Sequence, residues 1–245
     1  MIDFQVKHFQ EVDSTNSYLK ELVKQSDVPE GTVILADFQT TGKGRGLNAW
    51  ISDRAQNLTF SFFINPDLPA SCHFSLVEFV SLALVDTLSD YKVQAKIKWP
   101  NDIYVADKKI AGILFENVLS GDKIISSVVG IGLNVNQTVF PAELTNPVSL
   151  KTFVKQEVNQ EELVKILLDC LSNRYEQMKR GSYDLLHKEY CSNIYKKDET
   201  IRYWLDGKLY KGTLRTIGGT GELCIEDENG ELSGYLFGEI KLVIT

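Results

Sequence analysis

Between Gly42 and Gly46 the chain sets three glycines and two cations in five residues, Gly42-Lys43-Gly44-Arg45-Gly46, and Trp50 closes the run. Glycines let backbone N–H groups approach an anion, while Lys43 and Arg45 add charge and directed donors. That chemistry suits a phosphate, a carboxylate, or both. The plainer reading is a solvated hairpin loop, and Trp50 argues instead for a loop that packs. The spacing excludes two common phosphate folds. A Walker loop needs G-x-x-x-x-G-K-[ST] before a helix, and the dinucleotide fingerprint needs G-x-G-x-x-G opening one. Here the run is G-x-G-x-G and the next element reads as a strand.

A second constellation lies in "KIKWPNDIYVADKKIAGILFE". Pro100 breaks a strand, and Asn101 and Asp102 sit at the break between apolar runs, where side chains can be aimed into a site. Ordinary turn chemistry explains the same three residues equally simply. Lys108-Lys109 reads either as a solvated hairpin tip or as a cation entering "IAGILFE". Gly112 interrupts that strand, as glycines do where a ligand or another backbone comes close.

The surrounding elements must position these residues. "STNSYLKELVKQ" reads as a helix with Tyr18, Leu19, Leu22 and Val23 on one face and Ser14 or Thr15 as its cap. Strands are expected over Thr32–Phe38 and Asn57–Ile64, and a helix buried all round over Phe74–Leu88. Three strand-like pieces follow, "AKIKW", "DIYVAD" and "KIAGILFENV", with a tight turn at Asp107-Lys108, then a strand in "KIISSVVGIGLNVN". A long amphipathic helix starts after Asn159 as N-cap, and a shorter one covers Tyr183 to Tyr190. From Lys196 onward the pattern is short strands, with Asp206-Gly207 and Asn229-Gly230 as hairpin dipeptides and a further turn in "TIGGTGEL". The expected organisation is an α+β domain over 1–195 and a small SH3-like β domain over 196–245.

Composition narrows the function classes. The 245 residues are 43% hydrophobic and carry a net charge of −7, which argues against a general nucleic-acid binder. Cys72, Cys170, Cys191 and Cys224 form no C-x-x-C pair, and His8, His73 and His187 are not at helical spacing, so zinc or disulfide chemistry is not expected. The N-terminus lacks signal-peptide features, and no apolar stretch is expected to reach membrane-spanning length. A cytoplasmic protein follows.

Five motifs carry a resemblance. "STN" at 14–16, "QTTGKGRG" at 39–46, "KWPNDIYV" at 98–105, "KKIAGILFE" at 108–116 and "GIGLNVN" at 130–136 occur in the order and at the spacings of biotin–protein ligases. The all-β tail with "GEIKLV" resembles that family's small C-terminal domain. The resemblance implies a mixed β-sheet with packed helices, related to lipoate ligases, plus the SH3-like domain. It implies that biotin and ATP, with Mg²⁺, form biotinyl-5′-AMP, which is passed to one lysine of a biotin carboxyl carrier domain. A homodimer fits the resemblance, while DNA and membrane partners are not expected.

Residue by residue, the resemblance puts Ser14, Thr15, Asn16 and Gln39 on the biotin ureido ring, and Lys43, Gly44 and Arg45 on the carboxylate–phosphate junction. Lys109 matches the central lysine bridging carboxylate and α-phosphate, so Lys109, Arg45 and Lys43 form the catalytic set. Gly112 lets biotin approach its strand. Gly42, Arg45, Trp50, Asn101, Asp102 and Asn134 match the ATP and adenylate side, with Asp102 as the Mg²⁺ candidate. Catalysis of this kind works by positioning and charge, without a side-chain nucleophile.

The chain departs from the family where many members have arginine and this one has Lys43 and Gly46. Lysine cannot make a planar bidentate contact. The adenine-side loop, "QTVFPAELTNPVSL", matches no motif. Three rivals stand beside this reading. A lipoate–protein ligase would show an R-R-x-S-G-G-G loop, which is absent here. A biotin-responsive DNA-binding repressor would need a winged helix, for which the thirteen residues before Ser14 are too few. A bare phosphate-binding module would show no biotin-dependent chemistry.

Overall fold

The computed structural model describes residues 1–46 and 48–243; Leu47 lies outside the described residues, as do Ile244 and Thr245 at the end of the expected C-terminal domain. The chain opens on strand β1 (Gln5–Phe9), helix α1 (Thr15–Gln25), β2 (Thr32–Ala36) and β3 (Leu58–Ile64). Ser14 caps α1: its backbone is extended, and its Oγ accepts from the Ser17 N–H. The short β4 (Leu68–Pro69) and a 3₁₀ turn at Ala70–Cys72 lead into α2 (Phe74–Asp90). Next come β5 (Lys96–Lys98), β6 (Asp102–Val105), β7 (Lys108–Ser120) and β8 (Lys123–Leu133). Helices α3 (Leu150–Val154), α4 (Gln160–Lys179) and α5 (Tyr183–Ser192) follow. Asn159 caps α4 by accepting from the N–H groups of Glu161 and Glu162. The chain ends in β9 (Thr200–Leu205), β10 (Lys208–Ile217), β11 (Leu223–Glu226), β12 (Leu232–Tyr235) and β13 (Ile240–Val243).

The first sheet has the order β1-β2-β3-β8-β7-β6-β5, with β4 paired to β8 off that path. The β1–β2 pair is parallel and its other pairs antiparallel, the mixed sheet expected. Strand alternation divides its apolar side chains between two faces. Phe60 and Phe62 of β3 and Val129 and Ile131 of β8 join the main cluster with α2 and α4, whereas Ile34, Phe63 and Val128 meet Leu19 of α1 in a smaller one. The second sheet is antiparallel, in the order β12-β11-β10-β9-β13. Its pairing fits the expected SH3-like domain, with no ladder between β12 and β13 among the described residues. Ile201, Leu214, Leu223 and Ile240 of this sheet belong to the same apolar cluster as the first.

Three expectations are corrected. The turn after β6 has left-handed φ at Ala106 and Asp107, one residue earlier than expected. Pro100 does not interrupt one strand: β5 and β6 are antiparallel partners, Lys98 opposite Asp102, and the chain reverses through Trp99-Pro100-Asn101. Finally, Ala70–Asp90 is long and apolar enough to cross a membrane by length and composition. Most of it is buried inside the fold, because α2 packs against α4, α5 and the sheet, and it reads as a core helix.

Candidate active site

A cavity of about 540 Å³ opens on the α1 face of the first sheet. The sheet register builds its floor. Lys98 lies opposite Asp102, Asp102 opposite Gly112, and Gly112 opposite Gly132. Two residues along β8, Gly130 lies on the same face opposite Ser61 of β3. The two β8 glycines are required by close approach. A Cβ on Gly130 would lie 2.2 Å from Asn16 Oδ1, and one on Gly132 would lie 2.2 Å from the Trp50 ring.

At one end is a chain of hydrogen bonds, buried at Thr15, Ser61 and Asn16 and exposed at Lys20. Thr15 donates to Gln39 Oε1 twice, from its N–H at 2.8 Å and from Oγ1 at 3.1 Å. Thr15 Oγ1 also lies 2.8 Å from Ser61 Oγ, and Ser61 Oγ donates to Asn16 Oδ1 at 2.5 Å. Asn16 Nδ2 donates to Glu116 Oε2 at 3.1 Å, and Lys20 closes the chain on Glu116 Oε1 at 2.6 Å. Burial works to raise the Glu116 pKa, but the hydrogen bonds from Lys20 and Asn16, with the charges of Lys20 and Lys43, together hold the carboxyl below its ordinary value. This end presents fixed donors and acceptors together, which suits a neutral polar group able to do both.

The other end is charged. Lys109 Nζ lies 2.7 Å from Asp102 Oδ1, and Lys98 Nζ lies 3.8 Å from Asp102 Oδ2. Burial lowers the pKa of Lys98, Asp102 raises it, and Lys109 lowers it further. Strict alternation along β7 would send Lys109 and Gly112 to opposite faces. A bulge prevents this: Ile103 faces Ala111, yet Tyr104 faces Lys109, so Ile110 is the extra residue and Lys109 joins the cavity. Its backbone is held from the other side as well, with its N–H on Asn146 O at 2.8 Å and its carbonyl accepting from Val148 at 2.9 Å.

The glycine loop forms the wall over both ends. Its base is a small ladder in which Trp50 N–H donates to Gly42 O and Gly44 N–H to Asn48 O. Trp50 lies on Gly132, and its buried Nε1 has no hydrogen-bond partner among the described residues. A buried donor without a partner is costly, about 1–3 kcal/mol. Arg45 reaches across to the second sheet, its guanidinium carbon 3.2 Å from the centre of the Phe237 ring.

Most of the residues expected at a site line this cavity: Ser14, Thr15, Asn16 and Gln39 at the polar end, Asn101, Asp102 and Lys109 at the charged end, and Lys43, Gly44, Arg45 and Trp50 in the loop, with Gly112 in the floor. Two do not. Gly42 is buried at the loop base, where a Cβ would lie 2.4 Å from Trp50 O. Asn134 is buried just past β8, where its backbone joins Ile110 and Leu150, away from the lining. Asn101 lines the cavity but also braces the turn, its Nδ2 donating to Ile113 O at 2.5 Å. The space above Gly112 holds the Lys109 side chain and the Trp50 edge, each 3.3 Å from a Cβ placed there. Sequence reasoning missed Lys98, Phe237 and Lys241 in the lining. For Lys98 a signal existed, since its alternation with the apolar Ile97 puts it on the face of Asp102.

Among the described residues no group of three or more His, Cys, Asp and Glu side chains converges as a metal cage. Asp102 is the one carboxylate in the cavity lining among those residues. Asp102 is already paired with Lys109 and Lys98, and it would supply the one protein carboxylate to a magnesium ion arriving with phosphate oxygens.

Comparison with known proteins agrees with this geometry. Residues 8–135 match the family described as the biotin/lipoate A/B protein ligase family. The bifunctional ligase/repressor BirA of Bacillus subtilis is 34% identical over 226 residues, covering 89% of this chain and 68% of that protein. The structure of biotin protein ligase from Aquifex aeolicus in complex with biotin and ATP superposes with a TM-score of 0.82 at 29% identity, covering 98% of this chain and 99% of that one. The biotin acetyl coenzyme A carboxylase synthetase from Helicobacter pylori with bound biotinylated ATP shares the fold, with a TM-score of 0.61, 22% identity, and coverage of 95% of this chain and 100% of that one. This chain therefore belongs to the biotin/lipoate A/B protein ligase family.

Proposed function

We infer that this cavity activates biotin with ATP as biotinyl-5′-AMP and passes the biotinyl group to a lysine of a biotin carboxyl carrier domain. The observation that carries the reading is the pairing of two ends in one cavity: the Gln39–Thr15–Ser61–Asn16 chain, and the Lys98–Asp102–Lys109 cluster under Arg45. A ureido ring, with both N–H donors and a carbonyl acceptor, matches the first end. A carboxylate meeting a phosphate matches the second.

In the first step a biotin carboxylate oxygen attacks the α-phosphorus and pyrophosphate leaves. Two anions held about 4 Å apart repel by about 4 kcal/mol at a protein surface. Lys109, Lys98, Lys43 and Arg45 offset that repulsion and stabilise charge gathering on the equatorial oxygens. Magnesium, when bound, neutralises phosphate charge, and Asp102 with phosphate oxygens would hold it. In the second step the carrier lysine attacks the acyl carbon and AMP departs. The same cations hold the phosphate, and the glycine loop keeps water from the anhydride.

The family includes lipoate ligases, and the polar end favours biotin. A site built to hydrogen-bond a ureido group should reject the apolar dithiolane of lipoate by roughly 10⁴-fold, since its groups would be left unpaired. ATP as substrate and four free cysteines are in keeping with a cytoplasmic enzyme. The net charge of −7 argues against general nucleic-acid binding. The decisive experiment measures pyrophosphate release with biotin and ATP together, with each alone, and with lipoate replacing biotin. Release without biotin, or equal release with lipoate, would overturn the reading.

A further inference from the structure

Arg45 is held in an unusual way. Among the described residues its guanidinium has no ion pair within 4.0 Å and no recorded hydrogen bond. Its close contact is the face of Phe237. A guanidinium resting on an aromatic face is attracted through the ring quadrupole, while its N–H groups stay at its edge. Arg45 is thus placed without its donors being used. Lys109 is the opposite case, since its ammonium already lies on Asp102. Partial desolvation pulls the Arg45 pKa down and the charge of Asp102 pulls it back, and the side chain remains a cation at neutral pH.

Phe237 belongs to the β12–β13 turn of the second sheet, and that turn is anchored. The Leu236 N–H donates to Glu239 Oε2 at 2.6 Å, and the Phe237 ring lies 5.8 Å from that of Trp99. Trp99 is buried, and its Nε1 donates to Gly221 O of the β10–β11 turn at 2.8 Å. Gly221 sits against Phe74 of α2, with no room for a Cβ: one would lie 2.4 Å from the Phe74 ring. Two turns of the second sheet therefore grip the first beside Pro100, Asn101 and Asp102. The Arg45–Phe237 pair also lies between the catalytic cavity and a smaller one of about 240 Å³, and it lines both.

From these contacts we propose that Phe237 is a positioning residue, acting through Arg45 to hold the glycine loop over the reacting groups and retain the adenylate. The second sheet then takes part in the chemistry by supplying one ring face on which the loop's arginine rests. This rests on the biotinyl-AMP reading given above. It makes Phe237 distinct from a mere packing residue, because the requirement is for a π face and not for apolar volume.

The test uses the full chain with biotin, ATP and magnesium, and the variants F237A, F237L, F237Y, R45A and the double variant R45A/F237A. Escape of biotinyl-AMP is timed by chasing radiolabelled intermediate with unlabelled biotin, and biotin affinity is measured alongside by calorimetry. F237A and F237L should each speed escape by about tenfold, the scale of one cation–π contact. Biotin affinity should stay within about twofold, which also shows that the variants are folded, and F237Y should restore retention. The double variant should release adenylate no faster than R45A alone, since Phe237 acts through Arg45. Parent-like retention in F237L, or escape rates that multiply in the double variant, would overturn the assignment. Failure of the parent chain to release pyrophosphate from biotin plus ATP would instead overturn the underlying function and this inference with it.

Discussion

Lys109 Nζ and Asp102 Oδ1 are 2.7 Å apart across a bulged strand pair, and Asp102 also faces Lys98. The pair holds a cation in place in the cavity, where on the proposed reading the reacting oxygens would lie. A donor preorganised in this way favours the transition state without first being ordered. Lys109→Ala should lower single-turnover adenylate formation by on the order of 10²–10³, with biotin affinity little changed. Adenylation at the parent's rate would refute the role.

Arg45 sits on the glycine loop and not on a strand, so its contribution should show in retention. Arg45→Ala should release biotinyl-AMP faster and biotinylate bystander lysines. Mass spectrometry of a non-cognate protein mixed with the enzyme would display this. An unchanged label count after incubation would remove Arg45 from that role.

Gly130 lies beneath Asn16, and a Cβ there would come within 2.2 Å of its amide oxygen. Strand β8 is laddered on both sides, so it is the Asn16 side chain that must yield. Gly130→Ala should therefore break the Ser61–Asn16–Glu116 chain and weaken biotin binding by about 1–3 kcal/mol, or roughly 5- to 150-fold. Titration calorimetry with biotin alone measures it, and an unaltered affinity would show that the chain does not form the biotin end.

Glu116 makes stability depend on pH. Its folded pKa lies below the ordinary 4.5, so its stabilisation is present above that value. It is lost as pH falls through the lower folded value. Thermal melts of the parent and of Glu116→Gln should differ most near neutrality and converge in acid once the pH has fallen through the folded value, below 4.5. A gap that stays constant from pH 7 to pH 3 would contradict the sign worked out here.

A chain ended at residue 195 should not keep a cooperative fold. Ile201, Leu214, Leu223 and Ile240 belong to the main apolar cluster, and Trp99 loses its acceptor when Gly221 is removed. Exposing the apolar surface that these residues cover costs about 25 cal/mol per Å², against a total stability of about 5–15 kcal/mol. A sharp melting transition in the truncated chain would show that the second sheet is dispensable for folding.

Local chemistry was legible in the sequence. Ser14 and Asn159 cap their helices, Asp206 and Gly207 take left-handed φ in their hairpin, and the apolar run after His73 forms the buried helix α2. Each depends on neighbours within a few residues, where propensity and hydrogen bonding act without the rest of the chain. Strand β1 was not legible, because Gln5–His8 is exposed and has no alternation to mark it. The motifs likewise placed most of the cavity lining, since their residue types and order survive without coordinates.

What sequence alone could not decide is which side chains face one another. The bulge at Ile110 turns Lys109 onto the face of Gly112 and Asp102, and its cause lies in pairing with β6 and with the segment around Pro147. Ser61 meets Thr15 and Asn16 across more than forty residues of chain. Phe237 meets Arg45 only because the second sheet docks on Trp99 and Phe74. The capped helices, the hairpins and the chemical types gathered in the motifs follow from local energetics, and so could be read before any fold was known. The tertiary structure alone decided their facing, because strand register and sheet docking are set by burial summed over the whole core, and a one-residue shift in register reverses every side chain.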